Sequence, residues 1–226
     1  MLYYKYQRKE GSRLQTVLLF GVLGLYFVTA VLHVGFDWFS LPCRKVTKVL
    51  LLPLLSFAYL LLSESPSVFP LLALLFAWIG DILLLFPSRT KLFLVGAGGF
   101  ALCHVCYAIT FFPHGGPYRY LLLLLPILAL WLSFIQTRIR PLLPQSLRTP
   151  CLLYCILLGL SGGMAIVLSV SRFTLPHLFV GLGGLCFLCS DAILLLHRYR
   201  GIPRGDFLIS LTYIPAQTCL ILGLCL

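Results

Sequence analysis

Long unbroken apolar runs alternate with short polar connections along the whole chain, and the runs lack the every-second-residue alternation of strands. Eight runs stand out: Leu14 to Leu32, Val46 to Leu62, Phe69 to Phe86, Leu92 to Phe112, Tyr120 to Gln136, Cys151 to Ser169, His177 to Leu196 and Phe207 to Leu226. Each approaches the roughly 17 to 25 residues that a helix needs to cross hydrocarbon, whereas barrel strands are about half that length. The pattern predicts an all-α polytopic membrane protein of about eight transmembrane helices, with residues 1–226 forming a single integral membrane domain.

Composition removes the soluble alternatives. Hydrophobic residues make up 60% of the chain and charged ones 10%, against about 25% charged in ordinary soluble domains. The mean hydropathy is +1.02. Lys5, Arg8, Lys9 and Arg13 precede the first run, as in a signal peptide. That run is longer than the 7 to 15 residues of a typical signal core, so it reads as an uncleaved anchor.

A net charge of +11 would point to nucleic acid in a soluble protein. Here the basic residues flank apolar runs, and anionic lipid headgroups are the matching partner. Eleven of the 17 Lys and Arg residues lie at the odd-numbered loops, including Arg44, Lys45, Arg138, Arg148 and Arg204. The positive-inside rule sends those loops to the cytosol, while the basic N-terminus argues the opposite, so orientation stays open. The nine cysteines fall mostly inside apolar runs. Cys103/Cys106 and Cys186/Cys189 have zinc-like spacing without the turn that structural zinc sites use, so they read as packing residues and not as metal ligands.

Two acids lie deep in apolar runs in similar settings, Gly80-Asp81-Ile82-Leu83 and Ser190-Asp191-Ala192-Ile193. A carboxylate in hydrocarbon is costly and persists mainly where it faces a bundle interior, a partner or water. Spans three and seven share an aromatic residue, then Gly or Ser, Asp and a leucine run, which reads as a diverged internal repeat. Tyr107 and Gln217 each fall 26 residues after their aspartate, and His104 and Tyr213 lie on the same following spans. Both aspartates lie five residues before a span end on the odd-loop side, matching them in depth. Lys48, Arg89, Arg198 and Arg200 form a basic rim there, suited to the phosphate of an amphiphile.

Two carboxylates in a low-dielectric cavity cannot easily both ionise, which supplies one acid and one base. The pair can serve hydrolysis of an acetal-like or enol-ether bond, and it can equally serve proton-coupled transport. Nucleophile-elbow, zinc-protease and phosphate-loop signatures are absent from the sequence. Inert buried acids in a structural or regulatory membrane protein are a third reading, at odds with the cost of retaining two of them.

Four motifs then carry a family resemblance: Gly80-Asp81, Phe100-x-x-x-His104-x-x-Tyr107, Phe187-x-x-Ser190-Asp191 and Tyr213-x-x-x-Gln217. In that order and spacing the chain resembles the lysoplasmalogenase, or YhhN-like, family of multispanning membrane proteins, close to its vertebrate members. One departure is visible: the family often has Lys-Pro at the start of span two, whereas Val49 follows Lys48 here. The resemblance implies hydrolysis of the vinyl ether bond of lysoplasmalogens, 1-alkenyl-glycerophosphoethanolamine and -glycerophosphocholine. The products would be a fatty aldehyde and the glycerophospho-base, made in the endoplasmic reticulum membrane without a metal or other cofactor.

On that expectation Asp81 and Asp191 are catalytic and share the acid and base roles. His104 and Tyr213 hydrogen-bond the pair or the water, and Tyr107, Ser190 and Gln217 stand behind them. The basic rim receives the phosphate, with the site opening toward the cytosol. Expected partners are the lipid substrate and membrane lipids, with no nucleic acid. A homo-oligomer is compatible with the sequence, which leaves headgroup and chain preference open.

Overall fold

The computed structural model describes residues 2–86, 90–112 and 119–226. They form eight α-helices: α1 (Leu2–Trp38), α2 (Arg44–Leu62), α3 (Val68–Leu84), α4 (Thr90–Phe111), α5 (Arg119–Phe134), α6 (Gln145–Arg172), α7 (Leu175–Arg200) and α8 (Gly205–Cys225). No strand occurs among the described residues. A π-helical turn, Ile135–Ile139, and a 3-10 turn, Arg140–Leu142, join α5 to α6. Among the described residues seven helical spans are long and apolar enough to cross a membrane, that of α5 only because the turns after it extend it to Leu142; α3, with 17 residues and no such extension, falls short. At 1.5 Å per residue it spans about 26 Å, slightly less than a typical hydrocarbon core of about 30 Å.

The predicted runs correspond one to one with the helices, but the ends differ where polar residues continue the turn. Helix α1 reaches Trp38, six residues beyond the run that ends at Leu32. Helix α7 continues through His197, Arg198 and Arg200, and α3 stops at Leu84. The equal depth expected of the two aspartates rested on equal run ends. The helices themselves place Asp81 three residues, and Asp191 nine residues, from their C-terminal ends.

Packing follows a closed circuit in which α1 meets α2, α2 meets α3, α3 meets α4, α4 meets α6, α6 meets α7, α7 meets α8, and α8 returns to α1. Helix α5 stands outside this circuit against α6. One continuous core, with Leu55, Leu74, Phe100, Tyr107, Leu158, Phe187 and Tyr213 among its members, fills the inside. Apolar side chains also cover the outside, including Phe20, Val31, Leu130 and Leu153. That inside-and-outside apolarity is what a bilayer requires.

Close helix approach depends on glycine at several places, Gly99 and Gly184 among them. A Cβ on Gly99 of α4 would lie 2.9 Å from the Phe76 carbonyl oxygen of α3. One on Gly184 of α7 would lie 2.8 Å from the Gly162 carbonyl oxygen of α6. Small residues at such crossings let membrane helices pack backbone to backbone.

Candidate active site

Asp81 and Asp191 are both buried, at 2% and 4% exposure. Each has its own set of partners. The Asp81 carboxylate receives a hydrogen bond from the Tyr213 hydroxyl at 2.8 Å and pairs with the Lys48 ammonium at 3.3 Å. The Asp191 carboxylate receives a hydrogen bond from the Tyr154 hydroxyl, and His104 Nε2 stands 3.9 Å from its Oδ2. The Phe187 ring lies between the two sets, edge-on to His104 at 4.7 Å and to Tyr213 at 5.6 Å between centroids.

The partners follow the predicted repeat and cross it. Asp81 on α3 is served by α2 through Lys48; Asp191 on α7 is served by α6 through Tyr154. The second partner comes from the opposite half in each case: Tyr213 of α8 serves Asp81, and His104 of α4 faces Asp191. The two halves therefore brace each other's acids. Tyr107 of α4 and Gln217 of α8, the residues at matching offsets, meet in the bundle interior, with the Tyr107 hydroxyl donating to Gln217 Oε1 at 2.7 Å. Gln217 Nε2 then donates to the Tyr213 hydroxyl at 3.4 Å. A chain of side chains thus runs from Tyr107 through Gln217 and Tyr213 to Asp81.

His104 is 1% exposed, and its Nδ1 is hydrogen-bonded with Ser161 Oγ at 2.9 Å. Its Nε2 has no hydrogen-bond partner. A buried polar atom without a partner is costly and often marks a functional position. Here it points at Asp191 beside the Tyr154 ring.

Two cavities lie near the acids, one walled by Asp191 and the other by Lys48, the partner of Asp81. An apolar slot of about 230 Å³ between α4, α6 and α7 has Tyr154 and Asp191 in its wall. A polar cavity of about 390 Å³ lies toward the odd-loop end, lined by His33, Asp37, Arg44, Lys45, Lys48 and Arg198 among others. Leu84, Phe93 and Leu194 line both. At this shared wall the Arg198 guanidinium stacks 3.7 Å over the Phe93 ring.

The predicted rim needs correction. Lys48 lines the polar cavity, but its ammonium is also drawn inward to Asp81, a pairing the rim reading did not include. Arg198 does line that cavity, whereas Arg200, two residues on, is exposed and points elsewhere. Arg89 lies outside the described residues. Ser190 does not serve the acids; its hydroxyl donates to the Ile209 carbonyl of α8 at 3.4 Å, because adjacent helical residues project about 100° apart.

Sequence reasoning missed Tyr154 and the group beneath the polar cavity. In that group Asp37 accepts a hydrogen bond from Ser210 at 2.5 Å, lies 3.4 Å from His33 Nε2 and pairs with Arg44 at 3.5 Å. Arg44 also pairs with Asp206, which lies 3.8 Å from His197 Nε2. No signal in the sequence marked Tyr154; its place on the helix before Asp191 matches that of Lys48 before Asp81 only once the structure shows both pairings.

The YhhN family model matches residues 43–224. The chain belongs to the YhhN family. The match takes in Lys48, both aspartates, His104, Tyr154, Tyr213 and Gln217, and leaves α1 outside. Comparison with curated proteins and with solved structures found no match. YhhN membership accords with an enzyme of lysoplasmalogenase type embedded in a membrane by several helices.

Proposed function

We propose that the protein is a lysoplasmalogenase, resembling the vertebrate members of its family, that hydrolyses the vinyl ether bond of a lysoplasmalogen in the endoplasmic reticulum membrane. One observation carries the reading. Two buried carboxylates each have a hydroxyl donor and a nitrogen partner; Asp191 lies in the wall of an apolar slot, and Asp81 is paired with Lys48 in the lining of a polar cationic cavity that shares a wall with that slot. A single-chain phospholipid has that division of polarity, and its vinyl ether lies at the boundary between headgroup and chain.

The cationic cavity suits a phosphate diester. Arg44, Lys45, Lys48 and Arg198 bring four permanent positive charges. Three carboxylates pair with two of these cations, Asp37 and Asp206 with Arg44 and Asp81 with Lys48, so four positive charges less three negative leave a net charge of one. Arg198, stacked on Phe93 at the shared wall, is the cation nearest the slot by this geometry.

Vinyl ether cleavage begins with proton transfer to the β-carbon, which leaves an oxocarbenium ion at the α-carbon. Water adds there and loses a proton, and the hemiacetal then collapses to aldehyde and glycerol hydroxyl by passing its hydroxyl proton to the leaving oxygen. Asp191, in the wall of the apolar slot, supplies the proton to carbon. Asp81, paired with Lys48, supplies the carboxylate that stabilises the cation and takes the proton of the attacking water; transfer of that proton back to Asp191 resets the pair for the next turnover. A water or substrate oxygen between His104 Nε2 and Asp191 would meet both, and Tyr154 and Tyr213 hold the carboxylates in register. Fixed donors and charges of this kind act strongly where water is excluded.

Hydrolysis in deuterium oxide tests the route. Carbon protonation predicts one solvent deuterium on the carbon next to the aldehyde, and water labelled with heavy oxygen leaves the glycerol oxygen unlabelled. Label in the glycerol hydroxyl would rule out attack at the α-carbon. A liposome flux assay separates the proton-coupled transporter, which would accumulate intact substrate.

A further inference from the structure

The apolar slot has its small side on α4, where Leu94, Ala97, Gly98 and Ala101 fall at helical spacing on one face. Pro150, Leu153, Tyr154 and Leu157 of α6 face them at the same spacing. Leu94 and Leu153 are exposed on the outer surface of the bundle, Leu153 by 60%, so the slot reaches the surface that meets lipid. Gly98 is exposed as well, and a Cβ built on it would have nothing within 4 Å. Asp191 and Tyr154 supply a carboxylate and a hydroxyl to the slot's wall, and the buried, unpartnered Nε2 of His104 stands 3.9 Å from that carboxylate.

We infer that this slot is the lateral entrance and seat of the substrate's hydrocarbon chain, and that Gly98 of α4 sets what chain it admits. The inference rests on the proposed lipid-hydrolase reading and goes beyond it by naming the route and the determinant. Three features point to one alkyl chain as occupant. The walls are apolar apart from Asp191 and Tyr154, the outer end opens between α4 and α6 at bilayer-facing leucines, and the shared wall at Phe93 continues into the cavity whose surplus charge suits a phosphate. A chain arriving from the bilayer gains little from burial alone, because lipid tails are as apolar as the slot. Selection there is by shape, and a glycine at the mouth leaves room that any side chain would occupy.

Gly98→Phe is the test, with Val95→Phe as control, since Val95 is exposed on α4 away from the slot. The probe is a saturated ether lysophosphocholine carrying a photoreactive diazirine in mid-chain, which cannot be hydrolysed and so reports binding without turnover. In wild type and Val95→Phe the label is expected on Leu94 to Ala101 and on Leu153 to Leu157; in Gly98→Phe labelling there should fall by about tenfold. In aldehyde-release assays Gly98→Phe should raise KM for long-chain substrate roughly five- to 160-fold, the range that overpacking a filled site gives. KM for a short-chain substrate should move much less, and the melting temperature in detergent should stay that of wild type. Label elsewhere on the protein, or equal labelling and equal KM in Gly98→Phe and wild type, would overturn the inference. Slot labelling that Gly98→Phe blocks would uphold it even if no aldehyde were released; that absence would count against the hydrolase reading.

Discussion

Lys48→Met distinguishes an ion-pair partner from a headgroup contact. The ammonium lies 3.3 Å from the Asp81 carboxylate, with the carboxylate side chain 3% and the lysine side chain 21% exposed. At that separation the attraction is about 5 kcal/mol for an effective dielectric near ~20, before desolvation is counted. Removing one member of a buried pair costs about 3–5 kcal/mol, and the partial exposure of Lys48 puts this pair at the low end. If Asp81 acts as a carboxylate in the transition state, a loss of about 3 kcal/mol lowers kcat roughly 160-fold. The assay is steady-state aldehyde release from a lysoplasmalogen in detergent, with kcat and KM resolved. In melting temperature the double variant Asp81→Asn/Lys48→Met should be no less stable than Asp81→Asn alone, because the interaction is already gone. A Lys48→Met enzyme with raised KM and unchanged kcat would refute the pairing role and return Lys48 to the headgroup.

Other outcomes follow from the same geometry. Tyr213→Phe keeps the ring against Phe187 but removes the hydrogen bond to Asp81, and a bond to a charged group of about 1.5–3 kcal/mol predicts a roughly 12- to 160-fold fall in kcat with folding intact. Tyr154→Phe should behave alike through Asp191, read by the same assay. Arg198→Ala should mainly raise KM, whereas Arg200→Ala, exposed and away from the cavity, should leave both constants unchanged. Gly184→Ala places a methyl 2.8 Å from the Gly162 carbonyl oxygen and should destabilise the bundle by about 1–3 kcal/mol, seen as a lower melting temperature, while Gly98→Ala should not.

The eight-helix architecture was legible because bilayer-spanning helices need long apolar runs, and nothing else in the sequence competed with that signal. Asp81 and Asp191 were legible for the same reason, since a charge in hydrocarbon stands out. Tyr154 was not: one tyrosine in an apolar run looks like any core aromatic until the fold brings its hydroxyl to Asp191. The pairing of Lys48 was missed because a lysine near a helix end commonly reaches outward, and only the position of α3 shows that this one turns in. Asp37 follows the end of an apolar run and reads as a loop residue, yet α1 continues past it and buries it against Ser210. The repeat was visible as a weak likeness of two aspartate motifs. That each half supplies a partner to the other's acid depends on helix packing, which no spacing along the chain encodes.

The central claim is that Asp81 and Asp191 together cleave a vinyl ether. The most direct measurement is aldehyde release from a lysoplasmalogen by the purified protein, with Asp81→Asn, Asp191→Asn and the saturated ether analogue run alongside. Release by wild type is expected, vanishing in either variant and with the analogue, all three proteins remaining folded. A fully active Asp191→Asn or Asp81→Asn would contradict the two-carboxylate mechanism, and no release from folded wild type would contradict the enzyme itself.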